Sequence, residues 1–315
     1  MMNRRHFLAA TTAALAGTAL LAHADTPAAT PAPARKRPKL KKAIGIGMAG
    51  GVKGSIEDKF KAIRDAGFDG VELNLPDDHW DVDTIQKAKQ ASGLEIGGII
   101  CVSHWSSPLS DPKPEVRERT VRALNLALKQ GGEIGAQSVL LVPGKVTREV
   151  TYEECWKRSI EGIKRCVETA EAAKCPIAVE NVWNLFINNP AEAVRYVDEI
   201  NNPWVGWHFD IGNCVTYGWP EQWVRSLGKK RIRNIHLKDY SRSKRDKGGP
   251  YAGFGADLGE PWLADPKKDD GVNWTAVMQA LDEVGYEGYG ILEVGGGDAA
   301  RLKFLAERTD VLYAA

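Results

Sequence analysis

Eight short, almost continuously apolar runs punctuate the chain, and they constrain its fold more than any other feature of the sequence. They are Ala43–Met48, Gly70–Leu75, Glu95–Val102, Ser138–Pro143, Pro176–Val182, Val205–Ile211, Ile232–Leu237 and Gly288–Val294. Near-continuous hydrophobicity over about six residues suits a strand covered on both faces. Between the runs lie helical stretches with start and stop signals. Ser55 and Thr151 stand three residues before Asp58 and Glu154, as in a capping box, and Asn189-Pro190 supplies an N-cap followed by a first-turn proline. Ile56, Phe60 and Ile63 make one apolar helix face, and Trp156, Ile160, Ile163 and Val167 make another.

The helix-to-strand junction also recurs, as Ala66-Gly67-Phe68-Asp69-Gly70-Val71 and again as Val284-Gly285-Tyr286-Glu287-Gly288-Tyr289. Strict strand–helix alternation over residues 43–315 predicts an α/β fold, a single-domain (β/α)8 TIM barrel, whose typical size is about 250 residues. A doubly wound open sheet would place a phosphate-binding glycine loop after its first strand. Gly45-Ile46-Gly47-Met48-Ala49-Gly50 matches that pattern only superficially, because no helix begins at the last glycine and no suitably placed acid closes a second strand. These glycines read as a turn at the mouth of a barrel.

The ends of the chain differ in charge. The whole sequence balances 42 Lys and Arg against 41 Asp and Glu, yet residues 1–42 carry eight of the basic residues and a single acid, Asp25. The remainder has a formal charge of −6. Arg4-Arg5-His6-Phe7-Leu8, the apolar run Ala9–Ala22 and the small-residue site Ala22-His23-Ala24 follow the order of a secretory signal, and the paired arginines resemble a twin-arginine signal. The expectation is a signal peptide over residues 1–24, cleaved after Ala24 and read by the twin-arginine export machinery, and a bacterial protein of the periplasm or otherwise exported. The apolar run is shorter than the roughly 20 residues of a spanning helix. Residues 25–42, rich in Pro, Ala and Lys, read as a disordered linker, leaving the barrel over 43–315. The five cysteines include no C-x-x-C pair and read as core residues rather than a disulfide framework.

In a barrel, chemistry sits at the C-terminal ends of the strands. Reading those ends gives Glu72, His104, Glu180, Asp210, His236 and Glu293. A carboxylate placed there is costly to desolvate unless it meets a cation or strong donors. Glu180, Asp210, His236 and Glu293, converging from strands five to eight, would make an oxygen/nitrogen cage for one divalent metal ion. Mn²⁺ comes first for such donors, with Mg²⁺, Co²⁺ or Zn²⁺ as alternatives.

The phrases Val179-Glu180-Asn181, His208-Phe209-Asp210-Ile211-Gly212-Asn213, Ile235-His236-Leu237-Lys238-Asp239 and Leu292-Glu293 resemble the xylose-isomerase-like barrel superfamily of sugar isomerases and epimerases. The resemblance covers almost all of residues 43–315 and points to the ketose 3-epimerase and hexulose-phosphate isomerase branch. It implies one metal held by Glu180, Asp210, His236 and Glu293. It also implies that Glu180 and Glu293 exchange a proton next to the carbonyl through a metal-bound enediolate, one as general base and the other as general acid. Arg242 falls where related enzymes place a substrate-contacting arginine, and Lys238 is a second candidate. Glu72, His104 and Trp183 are expected to shape the substrate pocket. Asn213 replaces the histidine of some relatives, which would alter a substrate hydroxyl contact. Ser243–Gly271 is longer than a simple connection needs and reads as a lid.

The leading expectation is a metal-dependent isomerase or epimerase acting on a small, non-phosphorylated keto-sugar, since export removes an enzyme from cytoplasmic sugar phosphates. A lyase or hydratase acting on 3-keto-glycosides would use the same site. An endonuclease IV-like phosphodiesterase would need a histidine-rich multi-zinc cage, and a body of charge −6 is poorly suited to nucleic acid. A non-catalytic sugar-binding protein is the remaining class. The sequence leaves open whether the protein is a monomer or a homo-oligomer.

Overall fold

The computed structural model describes residues 40–76 and 80–315. The expected signal peptide, and the expected linker up to residue 39, lie outside the described residues. The strands are β1 (Leu40–Gly45), β2 (Gly70–Leu75), β3 (Glu95–Cys101), β4 (Val139–Leu141), β5 (Ile177–Glu180), β6 (Val205–Asp210), β7 (Ile232–Leu237) and β8 (Gly288–Leu292). Each pairs in parallel with the next, and β8 pairs with β1, closing a barrel in sequence order. The chain thus folds as the expected TIM barrel.

Helices occupy the connections: α1 (Ile56–Asp65), α2 (Val82–Ser92), α3 (Pro114–Ile134), α4 (Tyr152–Lys164), α5 (Val167–Ala173), α6 (Pro190–Ile200), α7 (Pro220–Arg231), α8 (Arg242–Gly248), α9 (Glu260–Ala264), α10 (Trp274–Val284) and α11 (Ala299–Tyr313). Both expected capping boxes form. Ser55 Oγ accepts from the Asp58 N–H while the Asp58 carboxylate accepts from the Ser55 N–H, and Thr151 and Glu154 repeat the exchange. Gly285 ends α10 at φ 68°, a left-handed conformation in which a side chain would crowd the backbone. The face of Ile56, Phe60 and Ile63 is buried against the barrel. Among the described residues no helix is long and apolar enough to cross a membrane. All five cysteines are buried and free.

Besides differences of one or two residues at strand ends, two elements depart from the sequence reading. The first strand runs over Leu40–Gly45 rather than Ala43–Met48, so the residues expected to end the linker begin the barrel. Hydropathy hides this because Lys41 and Lys42 place their ammonium groups beyond the strand: Lys41 Nζ lies 2.6 Å from Glu95 and Lys42 Nζ 2.7 Å from Asp310. Ile46–Ala49 becomes a 3-10 turn at the mouth, consistent with the glycines there. The expected helix through Val167 is interrupted at Arg165 and Cys166, which separate α4 from α5.

The long insert after β7 is folded. Asp239, buried just past that strand, accepts hydrogen bonds from Trp274 Nε1 (2.9 Å), Gly259 N (2.8 Å) and Tyr240 N (2.9 Å). Asp270 accepts from Ser243 N and Ser241 Oγ, and Arg301 forms a two-point pair with Asp257. These bonds fasten α8, the Pro250–Gly255 turn and α9 over one side of the mouth.

Candidate metal centre

Glu180 ends β5, Asp210 ends β6, His236 is the fifth residue of β7, and Glu293 follows β8. Parallel pairing aligns these ends, with Glu180 beside His208 and Asp210 beside His236 in register. The structure gathers the four predicted ligands, whose donor atoms lie within 4.8 Å of one another. His236 Nδ1 faces the group, 3.2 Å from Glu180 Oε1, 3.4 Å from Glu293 Oε2 and 3.9 Å from Asp210 Oδ2. Asp210 is fully buried and Glu180 nearly so.

Two of these carboxylates share one ammonium. Lys238 Nζ stands 2.5 Å from Glu293 Oε2 and 3.2 Å from Asp210 Oδ2. Even so, Asp210 Oδ2 and Glu293 Oε2 are buried without a well-directed hydrogen bond. Burial pushes Glu180 up to about 7 and raises Asp210, against the pull of His236 on the first and Lys238 on the second. Burial would raise Glu293 too, but the His236 hydrogen bond and charge and the Lys238 ammonium hold it well below the usual carboxylate range. Burial disfavours a charged His236, but the Glu72 charge and hydrogen bonds to Glu180, Glu293 and Glu72 raise its pKa well above the ordinary imidazole value. Carboxylate oxygens crowded around one imidazole are the donor set of a small divalent cation, and the four residues fit one.

A backbone-directed network holds Asp210 in place. Asn213 N donates to Asp210 Oδ1 (2.8 Å), and the Asn213 amide donates to the Asn181 carbonyl (2.9 Å). Asn181 donates to the Asp210 carbonyl (2.8 Å) and accepts from Asp210 N (3.0 Å) and Trp207 Nε1 (3.1 Å). The sequence reading passed over Asn181 although it sits in the quoted Val-Glu-Asn phrase. Nothing in an isolated asparagine marks it as the brace of a strand 29 residues away.

Above the cage opens a cavity of about 480 Å³ lined by Trp105, Lys145, Glu180, Val182, Trp183, Asn213, Lys238, Tyr251, Phe254 and Glu293. Trp183, Asn213 and Lys238 thus stand at the cavity, as placed from sequence. Trp183 donates from Nε1 to the Asn213 carbonyl (2.8 Å), and its ring lies 4.8 Å from Phe254 and 5.1 Å from Tyr251, centroid to centroid. Those two aromatic residues come from the insert after β7, so the lid supplies part of the wall.

Three expected pocket residues are not among the lining. Arg242 pairs with Asp269 (2.7 Å) and reaches the Gly218 carbonyl (3.3 Å), bracing the insert. His104 is buried, accepts at Nδ1 from Val142 N (3.2 Å), and is pushed down to about 4 by burial, which keeps it neutral. Glu72 is 2% exposed and lies behind His236, with Oε2 2.9 Å from Nε2. Glu72 is the third residue of β2 and so lies below the mouth, His104 follows β3 by three residues, and Arg242 opens α8.

The family described as Xylose isomerase-like TIM barrel matches residues 60–310. The chain belongs to this family. Among curated relatives, the L-ribulose-5-phosphate 3-epimerase UlaE of Escherichia coli O157:H7 is 22% identical over 192 residues, covering 58% of this chain and 68% of that protein. Among solved structures, a D-tagatose 3-epimerase-like protein superposes with a TM-score of 0.67 at 20% identity, over 87% of this chain and 99% of the other. The 3-keto-D-glucoside 4-epimerase YcjR from E. coli gives 0.67 at 14% identity, over 88% and 100%. At such identities the superpositions establish the shared barrel.

Proposed function

We propose that the protein is an exported, divalent-metal-dependent isomerase or epimerase of a non-phosphorylated keto-sugar. One observation carries the reading: Glu180 and Glu293 border the same cavity, both approach His236 Nδ1, and are driven toward opposite proton affinities. Two carboxyls whose surroundings separate them in this way are suited to act as acid and base. The names of the relatives, sugar 3-epimerases and a keto-glucoside 4-epimerase, support the same chemistry.

A metal held by Glu180, Asp210, His236 and Glu293 would supply Lewis-acid stabilisation of the charge that develops on the substrate carbonyl oxygen. One glutamate removes the proton from the carbon next to the carbonyl, and the other returns one from its own side. Lys238, beside Glu293, keeps that carboxylate ionised. Trp183, Tyr251 and Phe254 present apolar faces to the sugar ring and exclude water from the reacting carbon. Arg4-Arg5 and the apolar run behind them support export, which in turn favours an unphosphorylated substrate.

A lyase or hydratase acting on 3-keto-glycosides is a second reading with its own support. Trp105 and Tyr251 are 55% and 75% exposed at the cavity edge, forming an aromatic rim on which a second moiety could stack. Incubation of the metal-loaded protein with ketoses and 3-keto-glycosides in deuterated water tests both. Deuterium is expected at a carbon next to the carbonyl, and Glu180→Gln and Glu293→Gln are each expected to abolish it. Turnover persisting in both variants would refute the two-glutamate mechanism. Release of a leaving group would select the lyase.

A further inference from the structure

We propose that Glu72 is a positioning residue for the metal centre, fixing which nitrogen of His236 carries the proton and so setting how tightly a cation is held. The inference rests on the metal reading above. His236 is used from both edges: Nδ1 faces Glu180, Asp210 and Glu293, while Nε2 lies 2.9 Å from Glu72 Oε2. A neutral imidazole has one donor and one acceptor nitrogen. For Nδ1 to offer its lone pair to a cation, the proton must reside on Nε2, and a buried N–H without an acceptor is costly. Glu72 Oε2 is that acceptor. It reaches His236 from β2, 164 residues earlier in the chain.

The barrel makes room for this carboxylate. A Cβ on Gly98 of β3 would come within 2.9 Å of Glu72 Oε1, so a glycine there leaves the space the carboxylate occupies. Glu72 Oε1 has no hydrogen-bond partner, and neither ring nitrogen of His208 has one, although His208 is fully buried and its ring lies 4.1 Å from that of His236. Glu72, His208 and His236 also bring donor atoms within 4.8 Å of one another, so an inner cation is the competing account. It would require His236 to give up both ring protons, whereas the positioning role requires only the ordinary neutral ring.

The test compares wild type with Glu72→Gln, which keeps the shape and an acceptor oxygen but removes the charge. Mn²⁺ and Zn²⁺ affinity and stoichiometry are measured by competition with a chelator. Melting of the metal-free proteins is followed in parallel. Expected are one ion per chain in both proteins, a dissociation constant about 10- to 100-fold weaker in the variant, and little change in metal-free melting. An unchanged dissociation constant in the folded variant refutes the proposal. So do two ions per wild-type chain falling to one in the variant, which would place a cation among Glu72, His208 and His236. A wild type that binds no ion overturns the metal reading itself, a distinct result. Histidine-labelled nitrogen NMR of Zn²⁺-loaded wild type gives an answer even if the variant fails to fold. A protonated Nε2 on His236 is expected, and a protonated Nδ1 would refute the assignment.

Discussion

The two ends of the barrel are built from the same eight strands and treat charge in opposite ways. At the N-terminal end, Lys41 pairs with Glu95 (2.6 Å) and lies over the Tyr289 ring, Tyr289 donates to Glu95, and Lys42 pairs with Asp310 (2.7 Å). Each of these ammonium groups has its own carboxylate, and Lys41 and Glu95 are about half exposed to water. At the C-terminal end, Glu72, Glu180, Asp210 and Glu293 crowd around one imidazole and one ammonium, mostly out of water. The first arrangement suits a stable surface. The second is locally unfavourable and is tolerable when something positive is bound there.

Asp210→Asn should break that contrast most strongly. The amide keeps an oxygen to accept from Asn213 N and removes one negative charge from the cage. Metal binding should be lost, and kcat/KM should fall on the order of a thousandfold, the several kcal/mol that a metal supplies to a developing charge. The metal-free protein should melt at the same temperature or about 2–4 °C higher, because a buried like-charge repulsion is relieved. A metal-free protein clearly destabilised by the change would mean that Asp210 is mainly structural, and the contrast between the two ends would fail.

Much of this contrast was legible in the sequence. Glu180, Asp210, His236 and Glu293 each follow an apolar residue at or near the end of β5 to β8, so they stood out as polar groups that burial alone would not place there. What escaped depends on contacts between distant strands. Glu72 shares the same sequence signal, a carboxylate within an apolar strand, yet it faces inward behind His236 rather than outward to the cavity. One step along a β-strand reverses the face, and hydropathy does not report depth within a barrel. The start of β1 was hidden for a related reason. Lys41 and Lys42 contribute their backbones to the sheet and send their charges to Glu95 and Asp310, partners 54 and 268 residues away. The insert after β7 read as a lid by its length, but its fastening by Asp239 and its aromatic contribution needed the fold.

Asp239 allows a smaller, sharper test, since it is a buried carboxylate with donors but no cation. Burial pushes it up to about 6, despite hydrogen bonds from Trp274, Tyr240, Val272 and Gly259. A folded-state value above the ordinary 3.8 means that the folded protein binds the proton more tightly than the unfolded chain. The resulting stability is fully present below 3.8 and is lost as pH rises through about 6. The full excursion is on the order of 3 kcal/mol. In Asp239→Asn this titration is gone, so the melting temperature of wild type minus that of the variant should fall between pH 4 and 6 and stay level above that. A difference that rises over the same interval would show that the ionised form is the one the fold prefers, and the lid anchor would then resemble the paired N-terminal end.

Glu95→Gln probes that paired end and carries the smallest expected effect. Its carboxyl is lowered by hydrogen bonds from Lys41 and then Tyr289, with burial opposing. The sign is therefore the reverse of Asp239: the stabilisation is present above the ordinary 4.5 and disappears as pH falls through the depressed folded value. Both partners are about half exposed, so solvent and salt screen the pair and its worth is roughly 0.2–1 kcal/mol. The variant should melt no more than about 2–4 °C below wild type at pH 7 and low salt, with the gap narrowing in 0.5–1 M salt, where the Debye length shrinks to roughly 3–4 Å. Metal affinity and kcat/KM should not change, because the mutated carboxylate stands at the opposite mouth of the barrel from the cage. Any loss of metal affinity on Glu95→Gln would show that the two ends are energetically coupled through the strands, and the division of stability from chemistry along the barrel axis would have to be abandoned.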